Sequence, residues 1–403
     1  MGAERLTRAS PIRMDWHYRH TVLALCTFAF FATMVARLAI SPVVPEITAD
    51  LSITNATIGV ALTGMWMSYA FSQYPSGVLG DRFGERPIVL VAVGGTAVMS
   101  LVLAVSPVFA LFSLSVVVLG AVAGLHYSVA TALLARTFDN MGTAIGVHTI
   151  GSPAAGLLAP IAAAWIGTRY GWRPAVAVGA AIAFPVFVLF AWRVRPTEPR
   201  RPDDRMRDRF ELEPLLELLS RPPIAFTVLI AAVGAFVWQG TASFLPTFLV
   251  EHRGQSTAAA GVVFSAYFVV QALLKPPIGA VSDRYGRDVV IVGCMMTTAA
   301  GLALFVAVPG TLAVVGAVLL VGTGLGWASA VEPRFMDNLS EAERAGGFGL
   351  VRTVYLTVAS LGSVATGLFA DLFGWATSFL VLIVLLSAVG VAVAANWVLD
   401  LGY

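Results

Sequence analysis

The sequence predicts an all-α integral membrane protein of twelve transmembrane helices, arranged as two pseudo-symmetric six-helix bundles. Three observations carry this. The chain is 58% hydrophobic and only 12% charged, with a mean hydropathy of +0.83. Apolar residues fall in runs such as PIVLVAVGGTAVMSLVLAV (87–105), and about 20 such residues cross a bilayer core as a helix. Landmarks in the first half recur about 202 residues later, and one long polar segment (193–223) separates the two sets.

Breaking the chain at its polar and Gly/Pro punctuation places spans near 20–45, 57–80, 87–105, 108–135, 142–166 and 173–192. A second six falls near 223–250, 257–281, 289–308, 310–332, 345–369 and 375–398. The expected organisation is a first bundle over 1–192, a cytoplasmic linker over 193–222 and a second bundle over 223–403. Within the linker, the stretch around 210–219 has the pattern of a short amphipathic helix on the membrane surface. Arg5, Arg8, Arg13 and Arg19 precede an apolar run that continues to about Val44, which is not the pattern of a cleaved leader. Cys26 and Cys294 sit inside apolar runs, so no structural disulfide is expected.

The repeat is clearest in a charged turn, GVLGDRFGER (77–86), echoed as GAVSDRYGRD (279–288) at an offset of 202. Pro45 matches Pro246 (201), Gly59 matches Gly261 (202) and Gly124 matches Gly326 (202). Gly171-Trp172 matches Gly374-Trp375 (203). Landmarks in one order at one offset indicate a duplicated six-helix unit. With both termini cytoplasmic, 19 of the 25 Lys and Arg lie in cytoplasmic segments and 3 lie outside (Arg169, Arg173, Arg253). That excess predicts a multi-pass plasma-membrane protein with both charged turns in the cytoplasm.

The turn, Gly-x-x-x-Asp-Arg-x-Gly, resembles the signature loop of the major facilitator superfamily, and the resemblance covers the whole chain. It implies a secondary transporter with a central site between two halves that rock in alternating access. It also implies a cytoplasmic gate made of Gly77, Asp81, Arg82, Gly84 and Arg86, with Gly279, Asp283, Arg284 and Gly286 in the second copy. In the family, this glycine lets helices approach, and the acid matching Asp81 faces the positive N-terminus of span 11. Arg86 would pair with Asp139 at the end of span 4. Glu85 stands where the family often has a basic residue, and Val116 and Val117 stand where span 4 often carries one.

Cargo is read from ionisable residues inside the spans. Each costs roughly 2.5–3.5 kcal/mol at mid-membrane on insertion scales, so such residues tend to face a working cavity. Span 1 carries Arg37, with Thr33 and Ser41 four residues to either side. Span 8 carries Lys275, the only lysine, in line with Tyr267 and Gln271; span 11 carries Arg352. Lys275 and Arg352 could instead snorkel towards the cytoplasm. Trp238 and Gln239 occupy the span 7 position that matches Arg37, and either line the site or pack. His126 and His148 either join helices or meet substrate. Glu332 is the one intramembrane acid of the second half, a candidate for proton coupling or for a gate ion pair.

Three cations against one marginal acid make a positive cavity, which favours an anionic cargo. Arg37, Ser41 and Pro45 are similar to the anion/cation symporter group. The Lys275/Arg352 pair is similar to oxalate/formate-type exchangers, and the stretches 123–138 and 145–156 resemble fosmidomycin-resistance-type exporters. The expected function is therefore secondary transport of a small organic anion, carboxylate-like. One alternative is efflux of uncharged or amphiphilic compounds, with the cations as gating elements; another is a non-transporting sensor on the same scaffold. No zinc-type His/Cys spacing, phosphate-cradling loop or nucleophile motif points to an enzyme, a cofactor or a metal. The expected partners are a small-molecule substrate and the lipid bilayer, without nucleic acid, for a protein that functions as a monomer.

Overall fold

The computed structural model describes residues 18–138, 141–200, 213–340 and 344–403. The first half contains α1 (Tyr18–Leu51, broken by a 3-10 turn at Ser41–Val43), α2 (Asn55–Phe83), α3 (Glu85–Ala104), α4 (Phe109–Thr137), α5 (Thr143–Tyr170) and α6 (Trp172–Arg193). A short helix, Glu213–Ser220, precedes the second half. That half contains α7 (Pro222–Glu251), α8 (Thr257–Tyr285), α9 (Arg287–Ala307), α10 (Thr311–Asp337), α11 (Arg344–Phe373) and α12 (Trp375–Val398).

Among the described residues, eleven helices are long and apolar enough to span a membrane, one fewer than expected. The exception is α2, which has ample length at 29 residues. Its Thr, Ser, Gln and Tyr residues dilute its apolarity because it packs chiefly on other helices, α11 and α4. A helix that meets protein rather than lipid need not be uniformly apolar.

The landmarks of the repeat occupy equivalent places in the two halves. Both charged turns end their helix on a glycine with positive φ, Gly84 at +85° and Gly286 at +96°, a backbone state that side chains disfavour. Gly171 and Gly374 likewise hand over to a tryptophan. Trp172 donates its indole N–H to Asp50 (3.1 Å) and Trp375 donates to Glu251 (2.8 Å), each acid near the end of the first helix of its own half. Gly59 and Gly261 mark the two crossings between halves. A Cβ on Gly59 would stand 2.9 Å from the Ser363 carbonyl of α11, and one on Gly261 2.6 Å from Ala164 of α5. Helices in lipid gain little from burying apolar surface against each other, so small residues that permit close approach mark their contacts.

The two halves are joined at the end away from the charged turns. Thr63 donates to the Ser360 carbonyl (2.9 Å) and accepts from the Val364 N–H (3.0 Å). Ser41 donates to the Ala242 carbonyl (2.6 Å), and Thr257 to Glu46 (3.1 Å). Asp371, near the end of α11, accepts from the N–H groups of Asn55 (3.2 Å) and Ala56 (2.6 Å) at the start of α2. These hydrogen bonds between the halves gather at the end of the molecule away from the charged turns.

Candidate functional site

A cavity of about 230 Å³ lies between the halves, and Arg37, Lys275 and Arg352 all line it, together with Trp238 and Gln239. Its remaining walls include Trp66 and Tyr69 of α2, Trp327 of α10 and Tyr355 of α11. These aromatics were not singled out in the sequence. The Trp66/Tyr69 spacing of three residues on one helix face was the available signal.

Arg37 is 2% exposed. Its Nε donates to the Thr33 carbonyl one turn back (3.1 Å) and its Nη2 to the Met34 sulfur (2.8 Å). The guanidinium lies 4.0 Å from the Tyr69 ring centroid and 5.1 Å from that of Trp66. These contacts hold it by its faces and one edge, while Nη1 is buried with no hydrogen-bond partner. Unpaired buried donors are rare because each forgoes its bond to water. Arg352 repeats the pattern: its guanidinium lies 5.7 Å from the Tyr127 ring centroid, and its Nε has no partner. Lys275 is exposed and lines the same cavity. Trp66 and Trp238 meet edge to face, with centroids 5.5 Å apart, and so bridge the halves across the cavity. The buried Gln239 Oε1 and Trp327 Nε1 are also without partners.

Other residues expected near the site lie elsewhere. The 3-10 turn around Pro42 ends the face that Thr33, Arg37 and Ser41 would share on an unbroken helix, and Ser41 turns to α7 instead. Tyr267 is fully buried among Phe264 and Phe268, and Gln271 donates to the Leu325 carbonyl (2.8 Å) from the cavity wall. His126 and His148 are fully buried behind Phe30, which itself lines the cavity. Glu332 is exposed and lines a separate hollow with Arg287 and Phe348. Its neighbour Arg334 points away and pairs with Asp288 (2.7 Å).

The turns are organised by local pairing. Arg86 donates to the carbonyls of Ala191 (2.6 Å) and Val194 (2.8 Å), capping the C-terminal end of α6. Asp139 lies outside the described residues. Glu85, buried, pairs with Arg136 at the end of α4 (2.9 Å), so acid and base sit the opposite way round from the expected Arg86–Asp139 pair. In the second copy Arg287 bridges Asp283 and Asp337, and Arg284 lies against Tyr285. Arg82 lies against Phe83, and Asp81 is half-buried at the end of α2. Gly77 and Gly279 have room around them in this state, so no close helix approach depends on them here.

Known proteins give the same picture. The chain is 26% identical over 373 residues to the transcription regulatory protein OpdE of Pseudomonas aeruginosa, covering 89% of this chain and 88% of that one. It is 24% identical to a multidrug resistance protein B homolog of Mycobacterium tuberculosis, covering 74% of this chain and 65% of the relative. It is 23% identical to the hexuronate transporter of Bacillus subtilis, covering 87% and 88%. Among solved structures, a bacterial homolog of the human lysosomal transporter Spinster, inward-facing and unoccupied, superposes with a TM-score of 0.80 at 18% identity, covering 95% of this chain and 98% of that chain. The sequence profile of the Major Facilitator Superfamily matches residues 26–261 and again 229–401. One profile matched twice, on two joined halves with a cavity between them, means that this chain belongs to the Major Facilitator Superfamily and is a secondary transporter rather than an enzyme.

Proposed function

We propose that the transporter carries amphiphilic organic compounds, with an aromatic or apolar body and an acidic end, by alternating access. One observation carries the reading. The cavity presents buried donors without partners, Arg37 Nη1, Arg352 Nε and Trp327 Nε1, beside Lys275, and no carboxylate is among its lining residues. Unpaired donors and three cations in one lining, with Glu332 near enough for its charge to act on Lys275 and Arg352, call for an acceptor-rich ligand. Trp66, Tyr69, Trp238 and Tyr355 supply the surface for its apolar part. The charged turns serve as the cytoplasmic gate, on the inner face that the arginine distribution indicates.

A second reading is efflux of uncharged amphiphiles, with the cations acting as gating elements. It has the broader support among relatives, since multidrug resistance proteins of Mycobacterium tuberculosis and of Salmonella are among them. The two are separated by thermal shift on the purified full chain. Benzoate and longer aromatic acids are compared with their uncharged amides, because a ligand at 100 times its Kd stabilises by about 2.7 kcal/mol. The acidic reading expects the acids alone to raise the midpoint and Arg37→Ala or Lys275→Ala to abolish the effect. Equal stabilisation by acids and amides, untouched by those variants but lost in Trp238→Ala, would replace it with the efflux reading. Binding without flux in reconstituted vesicles would mark a sensor.

A further inference from the structure

Behind the cavity wall lies a buried pair of histidines that substrate binding does not use. His126 of α4 and His148 of α5 are both 0% exposed, with ring centroids 5.5 Å apart. The backbone of Cys26 on α1 faces both rings, yet none of the four ring nitrogens reaches a partner with hydrogen-bond geometry. A neutral imidazole has one donor and one acceptor nitrogen, and native proteins rarely leave both unmatched in the interior. Such groups earn their place through chemistry more often than through packing.

The surroundings say which chemistry. Phe30 stacks against His126 (centroids 6.0 Å apart) and lies against His148 (5.2 Å), and its own ring lines the cavity. The pair is therefore one ring deep from the cavity. The charged and titratable groups around it are few. On α1, Arg37 is close enough for its charge to act on His126. On α4, Tyr127 lies 5.9 Å from His148 between centroids, and its ring lies 5.7 Å from the Arg352 guanidinium of α11. Tyr69 of α2 and Glu332 of α10 act on Tyr127 rather than on the rings themselves.

We propose that His126 and His148 form the proton-binding site that couples transport to a proton gradient. The inference rests on the acidic-substrate reading of the cavity. A proton from solution enters through the cavity past Phe30 and adds to the lone pair of one ring nitrogen, giving a single imidazolium. A second charge so close is opposed by the first, so the pair takes one proton. With the cavity empty, the Arg37 charge opposes a charge on His126. An acidic group bound at Arg37 cancels that opposition, so acid and proton favour each other's binding by the same factor. The two therefore travel together and leave on the same side, the ring returning to neutral. Glu332, exposed in its separate hollow, does not carry the coupling.

The experiment follows proton uptake when benzoate and longer aromatic acids are added to the purified full chain, using a pH indicator in weakly buffered detergent solution. The expected result is about one proton taken up per acid bound, none with the amides, and an apparent Kd for acid that weakens by about tenfold per pH unit once the pair is deprotonated. His126→Gln combined with His148→Gln should still bind acid, now without proton uptake and without pH dependence. Acid binding to the unaltered chain without proton uptake overturns the proposal even if the variants fail to fold. Undiminished uptake in the double variant overturns it as well. Failure of every acid to bind removes the cavity reading, and the coupling proposal with it.

Discussion

Replacing Asp371 with Asn should shift the resting balance of the transporter from closed to open at the face away from the charged turns. The carboxylate spans two helices from opposite halves, accepting from Ala56 N–H (2.6 Å) and Asn55 N–H (3.2 Å). These are the first two residues of α2, whose third N–H, that of Thr57, is taken by its own N-cap, Thr54 (3.2 Å). Asp371 thus satisfies two orphan donors and places a negative charge at the positive end of a 29-residue helix. Asp371 is exposed, so the charge contributes about 0.3–1 kcal/mol. Asparagine keeps one acceptor and loses the charge, and a loss of about 1 kcal/mol changes the closed-to-open ratio about fivefold. Alanine removes both acceptors and should approach tenfold, about 1.4 kcal/mol. Spin labels at Ser52 and Leu372, both exposed, with the buried Cys26 and Cys294 replaced by serine, would report the two populations as short and long distances. The shift should shrink at high salt, because the charge is open to solvent. A ratio that moves less than twofold in both variants would refute the latch.

Gly59→Leu should remove the short-distance population altogether and abolish transport, because its Cβ would stand 2.9 Å from the Ser363 carbonyl, a backbone atom that cannot swing aside. Arg334→Met should lower the melting temperature by several degrees: Arg334 is 6% exposed, and losing it leaves Asp288, among the described residues, with a long contact to Asn396 (3.4 Å). Breaking one side of such a pair costs about 3 kcal/mol. Arg37→Lys should weaken acid binding about tenfold or more in a titration, since a lysine cannot keep a flat contact with Tyr69 and still present an edge to the cavity. Trp172→Phe should destabilise by about 1 kcal/mol, the worth of one indole–carboxylate hydrogen bond, and Trp375→Phe by a similar amount, measured as melting shifts.

Much of the fold was legible because its signals are local. Hydropathy runs mark helices, and glycines at 84, 171, 286 and 374 mark turns, since φ at these positions lies between +82° and +96°. The repeat told more than it was asked. Its matched glycines, Gly59 and Gly261, turned out to be the crossing points between halves, and its matched tryptophans each bind an acid of their own half. The span expected near 57–80 is a helix over Asn55–Phe83 that falls short in apolarity alone, diluted by polar residues suited to a protein-facing helix.

The site was legible only in part. The rarity of charge in an apolar helix singled out Arg37, Lys275 and Arg352, because burying a cation is costly wherever the helix lies. Sequence alone could not say that all three share one cavity with Trp238 and Gln239, or that Ser41 and Tyr267 turn elsewhere. Those outcomes depend on a helix break at Pro42 and on how two bundles meet. Asp371 carried no signal at all, since its partners are 315 and 316 residues away in sequence. What the sequence determined by itself is the set of membrane helices, the duplication and the rare charged positions, each a property of a short stretch of chain. What only the tertiary structure decided is which of those positions face one another, because that follows from the packing of helices whose residues lie hundreds of positions apart.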